Sequence, residues 1–115
     1  FMDEAERLCD RLAVLDHGKV VVEGAPHELI ASHIEPEVVE IFAVADEPGT
    51  IQRAVELCQA LAARTEISGE TAFLYCDDAD PILARLHGDR SLRVMRRAAN
   101  LEDVFLKLTG RDLRD

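Results

Sequence analysis

No stretch of this chain approaches the roughly 20 consecutive apolar residues that a membrane-spanning helix needs, so no direct membrane insertion is expected. A charged-then-apolar leader of the secretory kind is also missing, and the chain opens on Phe1 rather than an initiator methionine. The expectation is a piece of a longer protein. Positive charge is scarce. Lys and Arg number 13 against 23 Asp and Glu, a formal charge of −10. DNA and RNA are therefore not expected as partners, because binding them rests on neutralising phosphates. The three cysteines, Cys9, Cys58 and Cys76, are widely spaced among apolar neighbours, with no Cys-x-x-Cys pair. They are expected to be small buried hydrophobes in a reducing compartment. What is present is 115 residues, 48% hydrophobic and 31% charged, enough for one or two small packed units.

Met2 to Cys9 has helical spacing, with Asp3, Glu4 and Glu6 in its first turns, where the helix dipole favours acids. Leu12 to Leu15 and Val20 to Val22 flank Asp16-His17-Gly18-Lys19, which predicts a β-hairpin. Pro26 then fits the first turn of a short helix carrying Leu29 and Ile30. A hairpin with two short helices buries too little to stand alone, so residues 1–33 are expected to form the edge of a larger domain.

From about Ile34 the pattern changes. Val38 to Val44 predicts a strand, Asp46-Glu47-Pro48-Gly49 a turn, and Ile51, Ala54, Val55, Cys58, Leu61 and Ala62 a helix. A short strand at Thr65 to Ile67 and a second at Thr71 to Cys76 follow. Asp80 is expected to cap a helix with Pro81 at its first position, and His87-Gly88 to stop it. Leu92 to Met95 is the last expected strand. Asn100 caps a final helix striped with Leu101, Val104, Phe105 and Leu108, which Gly110 ends. The class is α+β: residues 34–115 form a ferredoxin-like β-α-β-β-α-β domain plus a C-terminal helix.

With period two, Val39, Ile41, Ala43, Leu74, Cys76, Leu92 and Val94 share one sheet face, to be covered by the two crossover helices. The opposite face carries Val38, Glu40, Phe42, Val44, Phe73, Tyr75, Arg93 and Met95, too apolar to stay bare without a reason. The final helix has the same unburied stripe. Either it covers this face within the chain, or face and helix pair across a two-fold homodimer, the favoured expectation. Phe42, Phe73, Tyr75, Arg93, Met95, Leu101, Val104, Phe105 and Leu108 are the candidate interface. Charge is uneven as well: ten acids against Arg53 and Arg64 in residues 36–84, eight bases against five acids in 85–115. Net values of −8 and +3 suit complementarity between copies or with another protein.

Met2-Asp3-Glu4-Ala5-Glu6, Cys9-Asp10-Arg11, Val14-Leu15-Asp16-His17-Gly18-Lys19-Val20 and Glu23-Gly24-Ala25-Pro26-His27-Glu28-Leu29 resemble the segment after the switch histidine in ABC-transporter ATPases. The run from Asn100 to Arg111 is similar to the ending of the drug-resistance and nodulation type of that family. The resemblance implies that residues 1–33 are a helix-hairpin-helix remnant of the nucleotide-binding domain. It further implies a cytoplasmic subunit that hydrolyses ATP with Mg as a dimer and drives an integral-membrane permease, usually for export, at the inner face of the membrane. The departures are the G-x-x-x-x-G-K-[ST] loop, the Asp-Glu pair and the Ser-Gly-Gly signature, none of which occurs here. No ATP binding or hydrolysis by this piece is expected.

Other chemistry is thinner. His17, His27, His33 and His87 lack metal-ligand spacing. Asp77, Asp78 and Asp80 suit helix capping better than a calcium loop. No nucleophile with a base and no carboxylate pair is identifiable, so an independent enzyme ranks last. A small-molecule sensor of β-α-β-β-α-β type is the alternative, with Gly49, Gly69 and Gly88 in turns where backbone could approach a ligand.

Overall fold

The computed structural model describes residues 2–45 and 47–110. Phe1, on which the chain opens, Asp46, expected in a turn, and Arg111, quoted in the second resemblance, lie outside the described residues. Two compact units divide the chain. One comprises the described residues of Phe1–Ile34 and Ala99–Asp115, the other Glu35–Ala98.

The first unit starts with helix α1 (Met2–Leu8), followed by strands β1 (Leu12–Asp16) and β2 (Lys19–Gly24), helix α2 (Pro26–His33) and, from the far end of the chain, helix α5 (Leu101–Thr109). Strands β1 and β2 pair antiparallel through a two-residue turn in which His17 and Gly18 both take positive φ, 52° and 74°. That is the turn geometry which matches strand twist. A bulge after Val14 pairs Leu15 with Val20 and leaves Val21 unmatched. It moves Val20 to the side away from buried Val14, so Val20 and Leu15 are both 58% exposed. Helix α5 packs on α1 and α2, with Leu101 and Val104 buried. The sequence reading grouped this helix with residues 34–115; by packing it lies beside the N-terminal elements.

The second unit runs β3 (Glu37–Ala43), α3 (Thr50–Cys58) with a single tight turn at Gln59–Leu61, β4 (Arg64–Ser68), β5 (Thr71–Cys76), α4 (Asp80–Leu86) and β6 (Leu92–Ala98). Its four strands lie in the order β4-β5-β3-β6, every neighbour antiparallel. Val39, Ile41, Leu74, Cys76 and Leu92 point to one face, where Ile51, Ala54 and Cys58 of α3 and Ile82 and Leu86 of α4 close over them. Ala43 and Val94 pack at its margin. At about 25 cal/mol per Å² of apolar surface removed from water, this layer dominates the unit's stability.

Three local expectations are corrected. Cys9 is exposed rather than buried, because it lies just beyond the last turn of α1, where its N–H is engaged by Ala5 O at 3.1 Å. Asp80 stands inside the first turn of α4 rather than before it. Ala79 is the N-cap, and the Asp78 carboxylate receives the Asp80 N–H at 3.0 Å. Strand β6 continues three residues past Met95, to Ala98.

Candidate functional site

The strand registers build the second face of the four-stranded sheet as three cross-strand rows. Arg64, Tyr75, Val38 and Arg97 form the first, Glu66, Phe73, Glu40 and Met95 the second, and Ser68, Thr71, Phe42 and Arg93 the third. Five of the nine candidate interface residues, Phe42, Phe73, Tyr75, Arg93 and Met95, thus share one surface. The other four, Leu101, Val104, Phe105 and Leu108, lie on α5 in the first unit.

Arginine and aromatic rings organise the first two rows. The Arg64 guanidinium lies 4.0 Å above the centroid of Tyr75, and that of Arg97 lies 6.0 Å from Phe73. Such contacts contribute about 0.5–2 kcal/mol each, more when desolvated. Arg64 is ion-paired to Glu66 at 2.7 Å and to Glu35 at 3.5 Å, while Arg97 pairs with Glu40. Val38 and Tyr75 are fully buried and Phe73 nearly so. Exposure rises toward the third row, with Phe42 half-buried, Met95 50% exposed and Arg93 exposed. Neighbouring Val44 is 59% exposed. The free part of the surface is therefore the Phe42, Val44, Met95 and Arg93 end.

On the helix-covered side, Glu37 Oε1 receives the Ala79 N–H at 2.9 Å, and Arg96 clasps Glu37 and reaches Asp80 at 2.7 Å. The Ala79 N–H and then the Arg96 guanidinium hold the Glu37 carboxyl below the usual carboxylate range. The same Glu37 carboxylate, together with Asp80, raises Arg96. These groups neutralise one another at a helix start, which is structural ion pairing rather than acid–base machinery.

Glycine placement is split. Gly49 and Gly69, with φ of 85° and 60°, border one open cleft of about 420 Å³ together with Thr50, Ile67, Glu47 and Glu70, whereas Gly88 lies outside it. Of the acids, Glu6 escaped sequence reasoning. It was expected only as an acid favoured by the dipole at a helix start, yet its Oε1 receives the Leu101 N–H at 2.8 Å, 95 residues away in sequence. No signal in the sequence links the two positions. Among the described residues, no group of three His, Cys, Asp or Glu side chains is placed to hold a metal ion, and no helix is long and apolar enough to cross a membrane.

Residues 48–110 match the family described as the nodulation factor export protein NodI, C-terminal domain. Across its whole length the chain is 52% identical to a Nod factor export ATP-binding protein I of Burkholderia lata, spanning 36% of that protein. It is 52% identical to one of Cupriavidus pinatubonensis, spanning 34% of it. Over 113 residues, 98% of the chain, it is 49% identical to one of Rhizobium sp. (strain N33), spanning 36% of it. The chain thus covers about a third of the length of these relatives.

Proposed function

Because the chain belongs to the family of the nodulation factor export protein NodI, C-terminal domain, we propose that it is the C-terminal part of an ABC-transporter ATP-binding subunit. The carrying observation is a match along the entire chain to proteins named for Nod factor export, so export of that cargo is the proposed role of the complete protein. It would act at the inner face of the membrane through an integral-membrane permease.

Within that role, α1, β1, β2 and α2 are read as the edge of the nucleotide-binding domain, and Glu35–Ala98 as a ferredoxin-like domain. The strand order β4-β5-β3-β6, wholly antiparallel, with both crossover helices on one face, supports the second reading. ATP and Mg belong to the rest of the complete protein, since phosphoryl transfer needs a phosphate-cradling loop that these 115 residues do not contain. A fluorescent ATP analogue titrated to millimolar concentration should show no saturable binding to this chain. Tight binding would overturn the assignment.

The accessory domain is proposed to serve subunit pairing or permease contact through the exposed Phe42, Val44, Met95 and Arg93 end of the sheet. Light scattering across concentration tests pairing. A dimer that dissociates at least tenfold more readily when Met95 and Val44 are changed to Asp supports it, and a monomer at all concentrations removes it. The cleft beside Gly49 and Gly69 favours a second reading, ligand sensing. That reading requires a ligand-dependent rise in Tm, absent when Gly69 is replaced by Val.

A further inference from the structure

Two short tethers join the second unit to the first. Ile34, Glu35 and Pro36 lie between α2 and β3, and Ala99 and Asn100 between β6 and α5. Both tethers meet the sheet at one rung. Strands β3 and β6 are neighbours, and Glu37, first in β3, stands opposite Ala98, last in β6. Directly opposed residues of an antiparallel pair have Cα atoms about 4.5–5.5 Å apart, so the chain enters and leaves this unit through a two-stranded neck. Arg96 clamps it: Nε and Nη2 donate to the two carboxylate oxygens of Glu37 at 3.0 and 2.9 Å, linking the leaving strand to the entering one. Entry and exit points this close are what allow one domain to be inserted into another.

The first unit carries the matching feature. Helix α5 packs on α1 and α2 as a core element does, with Leu101, Asp103 and Val104 buried. Its first N–H, that of Leu101, is bonded to Glu6 of α1 at 2.8 Å. Phe105 of the same stripe lines a cleft of about 270 Å³ together with Ala5 of α1 and Leu12 and Leu15 of β1. Three of the four apolar residues of the stripe are thus turned to the first unit. The family match over residues 48–110 takes in α5 along with most of the sheet, and so crosses this boundary.

We infer that Glu35–Ala98 is a module inserted into the first unit, and that α5 is the strap by which the first unit closes behind it. The apolar stripe of the strap is used within the first unit and is not a pairing surface. Partner contact is left to the far end of the module. From the neck at Glu37 and Ala98, β3 and β6 run about 20 Å to Ala43 and Leu92, and Phe42, Val44 and Arg93 lie at that end. For what each unit does in the complete protein the inference rests on the reading above, which gives the last helix to the nucleotide-binding side and the sheet to partner contact. The insertion itself stands apart from that reading.

Amide hydrogen exchange on the whole chain tests it, because each cooperative unit opens with its own free energy. Val104→Ala should speed exchange in α2 and the β1–β2 hairpin at least tenfold and leave β3, β5 and β6 within twofold of the parent. Leu74→Ala should do the reverse, at least tenfold in β3 and β5, with α2 and α5 within twofold. Glu6→Ala, which removes the acceptor of the Leu101 N–H, should speed exchange at Leu101 at least threefold without effect on the sheet. Lengthening the exit tether by Gly-Ser-Gly between Ala98 and Ala99 should leave both units within twofold. Faster exchange of the sheet in Val104→Ala, faster exchange of α5 in Leu74→Ala, or loss of α5 protection on lengthening the tether would each overturn the inference. So would a Val104→Ala chain whose α2 and hairpin exchange as in the parent. Saturable binding of the ATP analogue would instead remove the nucleotide-binding reading of the first unit and leave these exchange results untouched.

Discussion

Glu37 joins three parts of the second unit through one carboxylate: its own strand, the start of α4 at Ala79, and β6 through Arg96. Its folded-state pKa lies below the ordinary value of 4.5. A depressed carboxylate pKa stabilises the fold fully above the unfolded value, and the stabilisation is lost as pH falls through the folded one. Glu37→Gln should therefore lower Tm at pH 7, and the gap from the parent should close as pH falls from about 5 toward 3. Thermal melts across that range check this, and a gap that stays constant would refute it. The cysteines divide by burial. Desolvation pushes the Cys58 and Cys76 thiols up, whereas Cys9 is exposed. A thiol reagent at neutral pH should modify one cysteine rapidly in the folded protein and the other two only on unfolding, because the thiolate is the reactive form. Peptide mapping should locate the fast site at Cys9.

Helix α5 carries its own start and stop signals. Asn100 Oδ1 receives the Asp103 N–H at 3.1 Å, Asp103 Oδ2 accepts the Asn100 N–H at 2.8 Å, and Gly110 ends the helix at φ 75°. Asn100→Ala should cost about 1 kcal/mol by urea titration. Gly110→Ala should cost about 1 kcal/mol as well, through backbone strain alone, since a Cβ there meets open space. Leu74→Ala, in the fully buried layer under α3 and α4, should cost about 2–5 kcal/mol. Elements of this kind were legible beforehand. Asn100 and Gly110 bracket a 3.6-residue stripe, and the alternation of Val39, Ile41 and Leu74 marks the covered face. The end of β6 was not legible, because Arg96 and Arg97 break the apolar alternation. Their guanidiniums are accommodated by Glu37 and Asp80 on one face and Glu40 on the other, partners distant in sequence. The arginine-and-aromatic rows were legible only as a list of residues on one face. Which of them are covered and which stay free depends on register and packing that periodicity does not encode.

At the scale of the whole molecule, a charge of −10 sets what the surface repels. Duplex DNA should not be shifted by this chain at about 50 mM salt, where phosphate binding is strongest among ordinary conditions. Retardation of the duplex in a gel would contradict the charge distribution described here. The division into units has a further consequence, in time rather than in space. The first unit is discontinuous in sequence: Glu35–Ala98 interrupts it, and α5 with its Glu6 contact supplies the closing piece. On the ribosome, α1, the hairpin and α2 are made before α5 and cannot acquire it until the intervening 64 residues have been made. At about 5–20 residues per second that is a delay of roughly 3–13 s. The sheet of the second unit is contiguous and can complete during this interval. The exposed Leu15 and Val20 of the hairpin pass the same seconds with α1 and α2 still lacking α5, so within these 115 residues the first unit is the one that waits for its last piece.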